Sequence, residues 1–118
     1  VSEQDCLFCG IVAGSIPAEI VYEDATVIGF RDIAPQAPTH VLVIPRHHIT
    51  NAAQIETGDG HVLEAMVLAA QSVADAEGIA APDRGFRLVM NVGPDALNSV
   101  PHLHLHVLGG RAMTWPPG

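Results

Sequence analysis

The chain contains no lysine, so five arginines are its only permanent cations, set against 13 aspartates and glutamates and a formal charge of −8 over 118 residues. Sequence-independent binding to DNA or RNA needs an extended face of Lys and Arg to neutralise phosphates, which argues against a nucleic-acid partner. A single small nucleotide remains open, because one phosphate is held equally well by neutral imidazoles, hydroxyls, amides and backbone N–H groups. Long apolar runs are also missing: no stretch approaches the roughly 18 residues of a membrane span. Residues 1–5 (VSEQD) lead into no signal-like segment, so a soluble cytoplasmic protein without membrane contact is expected. In that compartment the only two cysteines, Cys6 and Cys9, are expected as thiols or metal ligands and not as a structural disulfide.

What is present fits one domain, residues 1–118, long enough to bury about two-thirds of its unfolded surface. There is no internal repeat and no low-complexity linker. Residues 6–13 (CLFCGIVA) read as a short apolar helix or turn ended by Gly14 and Pro17. Strand-like runs follow at residues 19–22 and 26–31, split by Glu23-Asp24, and at 39–44, whose β-branched content sits between Pro38 and Pro45. The period then changes. Val62, Met66, Ala69 and Val73 fall at helical spacing within residues 57–77, with Gly78 as the stop. Leu63, Val67, Ala70 and Ala74 widen the apolar side of this helix and Leu68 interrupts its polar stripe, a pattern that fits either a deep core or a second covered face and hence a homodimer. Strands at 85–92 and 101–108, joined by a loop at 93–100, complete an α+β pattern of antiparallel sheet, one long helix and one short N-terminal helix. The tail, residues 113–118 (MTWPPG), is irregular.

The chemistry concentrates in His102-Leu103-His104-Leu105-His106-Val107-Leu108. On a strand, side chains alternate faces, so the three histidines share one face, toward solvent or a ligand, and Leu103, Leu105 and Val107 share the core face. A merely polar outer face would draw Thr, Ser or Glu. A zinc site made of all three fails on distance: at about 3.4 Å per residue the outer pair is roughly 13 Å apart, whereas zinc needs nitrogens near 2.0–2.1 Å. Nucleophilic and acid–base chemistry fits better, provided that the central ring is fixed with Nδ1–H donated and the Nε2 lone pair presented.

This stretch matches the His-φ-His-φ-His-φ-φ signature, φ being apolar, of the histidine-triad proteins. Phe30-Arg31-Asp32-Ile33, Pro35-Gln36-Ala37-Pro38-Thr39-His40 with Leu42-Val43-Ile44-Pro45, Leu108-Gly109-Gly110-Arg111 and Trp115-Pro116-Pro117-Gly118 resemble the Hint branch of that family, over nearly the whole chain. The resemblance implies a nucleotide hydrolase or transferase that cleaves purine nucleoside phosphoramidates, AMP- or GMP-linked amines, through a nucleotidyl-histidine. It makes His104 the nucleophile, gives His106 the phosphate and leaving group, puts His40 in support, and has Ser99 and Asn91 at the phosphate. Asp32 would take the ribose hydroxyls, Leu7, Phe8, Ile11, Phe30 and Ile33 would wall the base, and Asn98 and Val100 would complete the nucleotide contacts. Trp115 would reach toward the partner subunit's site in a dimer.

Related proteins carry a structural zinc on two such cysteines, a histidine from a Pro-x-x-His segment and the first triad histidine. By that likeness the ligands are Cys6, Cys9, His48 and His102, with no organic cofactor, while His47 and His61 face solvent. The chain departs from the Hint pattern in two places. Ala96-Leu97-Asn98 stands where Gly-Gly-Gln is common, and Pro101 stands where an aromatic residue is common, removing an N–H before the triad. A non-catalytic nucleotide-binding or scaffold protein would use the same pocket, and a zinc hydrolase acting through a metal-bound water is a third reading.

Overall fold

The computed structural model describes residues 5–118, so the signal-segment reading of residues 1–4 lies outside the described residues. Five strands form one antiparallel sheet: β1 (Ile20–Glu23), β2 (Val27–Arg31), β3 (Thr39–Pro45), β4 (Phe86–Val89) and β5 (Leu105–Gly109), in the order β1-β2-β3-β5-β4. Two helices cover it, α1 (Leu7–Ala13) and α2 (Gly60–Ala76). The expected α+β architecture is therefore present.

Alternation along the strands sorts the core into two layers. Val27, Val41, Val43, Leu105 and Val107 point to one face and pack under Val62, Met66, Ala69 and Val73 of α2. Ile28, Phe30, Leu42 and Ile44 point to the other face and pack with Cys6 and Phe8 at α1. Helix α2 ends where the sequence places its stop, with Gly78 at φ 75°, a left-handed conformation that costs glycine little. At the end of β5 a side chain on Gly109 would put its Cβ 2.6 Å from Ile79 Cδ1, so only glycine lets the strand run this close.

Several boundaries differ from expectation. The helix begins at Gly60 and not at residue 57, because residues 57–59 turn ahead of it, and β4 covers only Phe86–Val89 of residues 85–92. The turn between β1 and β2 is organised by Asp24, whose Oδ1 accepts the N–H groups of Thr26 (2.7 Å) and Val27 (2.8 Å).

The largest difference concerns the histidine row. Strand β5 starts at Leu105 and not at residue 101, since Pro101 offers no N–H and the His102 N–H turns back to the Val100 carbonyl at 2.9 Å. Leu103 N–H instead bonds the Ile49 carbonyl at 2.6 Å. His102 is completely buried, so of the three rings it is the one withdrawn from solvent, and it lies against Cys6 on the side of the sheet opposite Leu103. Leu103, Leu105 and Val107 are buried as expected.

Candidate functional site

The register of β3 and β5 sets Leu42 opposite His106 and His40 opposite Leu108, so His40 and His106 share a face as diagonal neighbours. Their rings form a hydrogen bond, His40 Nε2 to His106 Nδ1, at 2.9 Å. The direction follows from the next partner. Gln36 N–H donates to His40 Nδ1 at 3.0 Å, which leaves the proton of a neutral His40 on Nε2, pointed at His106. His106 therefore accepts at Nδ1 and carries its own proton on Nε2. Burial first, then the neighbouring His104 and His40 rings, push the His106 pKa down to about 4, opposed by Asp32. Burial likewise lowers His40, with Asp32 pulling the other way.

His104 has the opposite tautomer. Its Nδ1 lies 2.7 Å from the His102 carbonyl oxygen, which only accepts, so Nδ1 carries the proton and Nε2 carries the lone pair. Among the described residues no hydrogen bond reaches that Nε2. The ring is half-buried, edge-on to Phe8 with centroids 5.2 Å apart, and 5.1 Å from the His106 ring. One row thus presents a lone pair at His104 beside an N–H at His106.

At the other end of the row, His102 Nε2 sits 2.9 Å from the Pro45 carbonyl and must donate to it, which frees its Nδ1 lone pair. That atom lies 3.2 Å from Cys6 Sγ and 3.4 Å from Cys9 Sγ, and Cys9 Sγ is 3.2 Å from His48 Nδ1. The four ligand atoms of Cys6, Cys9, His48 and His102 all lie within 4.8 Å of one another. A tetrahedral ion with bonds of about 2.3 Å to sulfur and 2.0 Å to nitrogen needs S···N edges of about 3.5 Å. The cluster fits such an ion. Asp32, His40 and His106 form a second close group, but there the His40–His106 hydrogen bond protonates the nitrogen a metal would need.

A cleft of about 350 Å³ lies on the same side, lined by Leu7, Phe8, Ile11, Phe30, Asp32 and Ile33 from the expected base and ribose contacts, and by Ser99 and Val100. Phe8 joins this cleft to the His104 ring. Asp32 Oδ1 accepts the Ala34 N–H at 2.8 Å, and its Oδ2 is 3.5 Å from His40 Nε2. Ile33 is wholly exposed at the rim. Asn91 does not line the cleft, and Asn98 buries its side-chain oxygen without a hydrogen-bond partner among the described residues. His47 is exposed, and His61 is exposed with Nδ1 3.0 Å from the Gly58 carbonyl, a partner the sequence did not suggest.

Sequence reasoning missed Ile16, Pro17, Ala18 and Leu42 as cleft walls. Pro17 carried a signal only as a helix stop. The Gln36 N–H that sets the His40 tautomer belongs to a backbone group, which no residue type announces.

A row of opposed histidine tautomers on an antiparallel sheet, beside an apolar cleft with one carboxylate, defines a histidine-triad site. The HIT domain model matches residues 13–113, and the chain belongs to that family. It is 44% identical over 98% of both chains to an uncharacterised HIT-like protein of Synechococcus elongatus. It is also 44% identical to a 14 kDa zinc-binding protein of Brassica juncea, over 97% of this chain and 100% of that one. Among solved structures, a HIT family hydrolase from Legionella pneumophila superposes with a TM-score of 0.92 at 48% identity, covering 97% of this chain and 100% of the other. No helix among the described residues is long and apolar enough to cross a membrane.

Proposed function

We propose that this chain, acting as a single domain, is a purine nucleoside phosphoramidase of the Hint branch that hydrolyses AMP- or GMP-linked amines through a nucleotidyl-histidine at His104. The observation that carries this reading is the pair of opposed tautomers, a Nε2 lone pair on His104 beside a Nε2–H on His106. In the first step the His104 lone pair attacks the α-phosphorus in line with the departing nitrogen, forming an N–P bond as the P–N bond to the amine breaks. His106 Nε2–H gives its proton to that nitrogen, since an amide anion is a very poor leaving group. The positive charge gained by the His104 ring, stabilised by the His102 carbonyl at Nδ1, offsets the proton lost next to it. In the second step water attacks phosphorus as the P–N bond to His104 Nε2 breaks and returns its electron pair to the ring, His106 recovers its proton from that water, and the nucleoside monophosphate leaves.

Asp32 serves the ribose hydroxyls, the apolar cleft takes the purine, and Ser99 contacts the phosphate or amine. Asn98, beside Ser99 and with a side-chain oxygen that has no hydrogen-bond partner among the described residues, and Val100 in the cleft wall complete the nucleotide contacts in this reading. We also assign a structural zinc to Cys6, Cys9, His48 and His102, on the fit of that cluster and the name of the Brassica relative. Four protein ligands would complete its tetrahedron, so it would tie α1 to the start of the histidine row and would not supply a reactive water. Exposed Val67 and Leu68 on α2, Leu88 on the edge strand β4 and Trp115 near the C-terminal end support a homodimer, and the same reading makes it a cytoplasmic protein.

Mass spectrometry after mixing with adenosine 5′-phosphoramidate and an alkaline denaturing quench tests the mechanism. An AMP adduct is expected on the peptide that contains His104, and His104→Ala should lose at least about 10³-fold in turnover while still binding AMP. Full turnover in that variant would remove His104 as nucleophile. Turnover of the unaltered protein no faster than buffer would leave a nucleotide-binding module.

A further inference from the structure

Three of the five arginines, Arg84, Arg87 and Arg111, converge on a cavity of about 390 Å³ that shares no lining residue with the nucleotide cleft. The other two are neutralised: Arg31 by Glu19 and Glu77, both at 2.9 Å, and Arg46 by Glu23 at 3.6 Å. The converging three make no ion pair among the described residues. Arg87 Nη2 donates to the Thr114 carbonyl at 3.0 Å, while Arg111 donates from Nε to the Gln36 carbonyl and from Nη1 to the Ala112 carbonyl, both at 3.1 Å. Backbone carbonyls hold a guanidinium in place without cancelling its charge, and each guanidinium has five N–H donors, most of them still unused here. Asp83 is the one carboxylate in the wall.

Keeping three uncancelled cations together is unfavourable unless something offsets their repulsion, and the excess acid of this chain lies elsewhere. From this convergence of guanidiniums on one cavity we propose that it binds a doubly charged phosphate oxyanion, inorganic phosphate or a phosphate monoester, at a site separate from the histidine row. Three guanidiniums against one carboxylate leave a net double positive charge, which matches a dianion. Planar forks of parallel N–H groups match pairs of phosphate oxygens. The inference does not depend on the proposed hydrolase activity.

The test is an amide NMR titration of the whole chain with inorganic phosphate at constant ionic strength, balanced with chloride. Saturable shifts are expected at Gly85, Arg87 and Ala112. The Arg84→Gln/Arg87→Gln double variant should weaken their midpoint at least tenfold, while any phosphate response at Ser99, His104 and His106 persists. Arg84→Gln alone removes an exposed side chain with no hydrogen bond among the described residues. It should weaken binding about threefold without disturbing the fold. Arg111 is left intact because it also holds Gln36. Ribose 5-phosphate in place of phosphate distinguishes the sources: shifts of equal or greater affinity identify a monoester site, and shifts with phosphate alone identify free phosphate. Unmoved cavity amides, equal shifts with chloride, or an unchanged midpoint in both variants would overturn the proposal. So would amides that respond to dilution of the protein and never to phosphate, which would assign the cavity to a second copy of the chain.

Discussion

The two faces of the sheet are made by the same alternating strands, yet one is closed and the other is not. On the α2 face, Val27, Val41, Val43, Met66 and Val107 are fully buried in continuous apolar contact. On the α1 face a seven-residue helix covers too little of the sheet to close it. The Cys6–Cys9–His48–His102 cluster fills one end of that face, the His104–His106 pair and His40 lie along it, and an open cleft follows. Stability and reactivity are thereby separated by one strand thickness: the closed face holds the sheet still, and the open face presents polar groups that a close-packed layer would not tolerate.

Removing metal should break this contrast most severely, because the ion would substitute for apolar packing at α1. Chelation is expected to cost about 4 kcal/mol and lower Tm by roughly 15 °C in calorimetry, with Cys9→Ser insensitive to chelator. If chelation left Tm unchanged in protein purified with zinc, the cluster would be held by hydrogen bonds alone. Next in size, Met66→Ala on the closed face should cost about 3 kcal/mol in urea unfolding through the cavity it leaves. Ile11→Ala on the open face should cost under about 1 kcal/mol and should appear instead as a raised KM for the nucleotide. Equal stability losses at the two positions would show that the faces do not differ.

A smaller effect is expected where α2 meets the edge of the sheet. Arg31 bonds both oxygens of Glu77, at 2.9 and 3.2 Å, and holds its carboxyl below the usual 4.5, with Thr39 adding a hydrogen bond. Glu77→Gln should lose about 1 kcal/mol at neutral pH. Because the folded pKa is depressed, this stabilisation is complete above about pH 4.5 and disappears as pH falls through the folded value. Unfolding curves of variant and parent should converge in acid. Smallest at neutral pH is the contribution of the His106 ring, neutral in the fold down to about pH 4 and ordinary, near 6.5, when unfolded. Between those values the unfolded chain binds more protons, so stability should decline steadily as pH drops from 6.5 toward 4, by up to about 3 kcal/mol at the acid end, read as a falling Tm. In His106→Asn that part of the slope should vanish.

How much of this was legible in the chain varies by residue. The alternation of Leu103, Leu105 and Val107 with the histidines placed the three apolar residues in the core, since a strand has a fixed period of two. His102 keeps to the face opposite Leu103 as well, but the rule says nothing of depth: Pro101 and the turn back to Val100 bring the chain in before regular pairing begins, and the ring is buried against Cys6. Cys6 and Cys9 were visible as a pair by spacing, but their meeting with His48 and His102 spans up to 96 residues and followed only from the family likeness. Asn91 was given its phosphate contact by family position alone; like His104 and His106 it lies outside the apolar cleft that walls the base.

Sequence alone determined the strands, the long helix and its Gly78 stop, because these depend on local period and local conformation. Tertiary structure decided the protonation pattern. His104 takes its tautomer from a carbonyl two residues back, and His106 takes its own from His40, 66 positions away, which is set in turn by the Gln36 amide. A hydrogen atom on one imidazole nitrogen or the other is assigned by what faces it in space, and only the folded sheet brings those partners together.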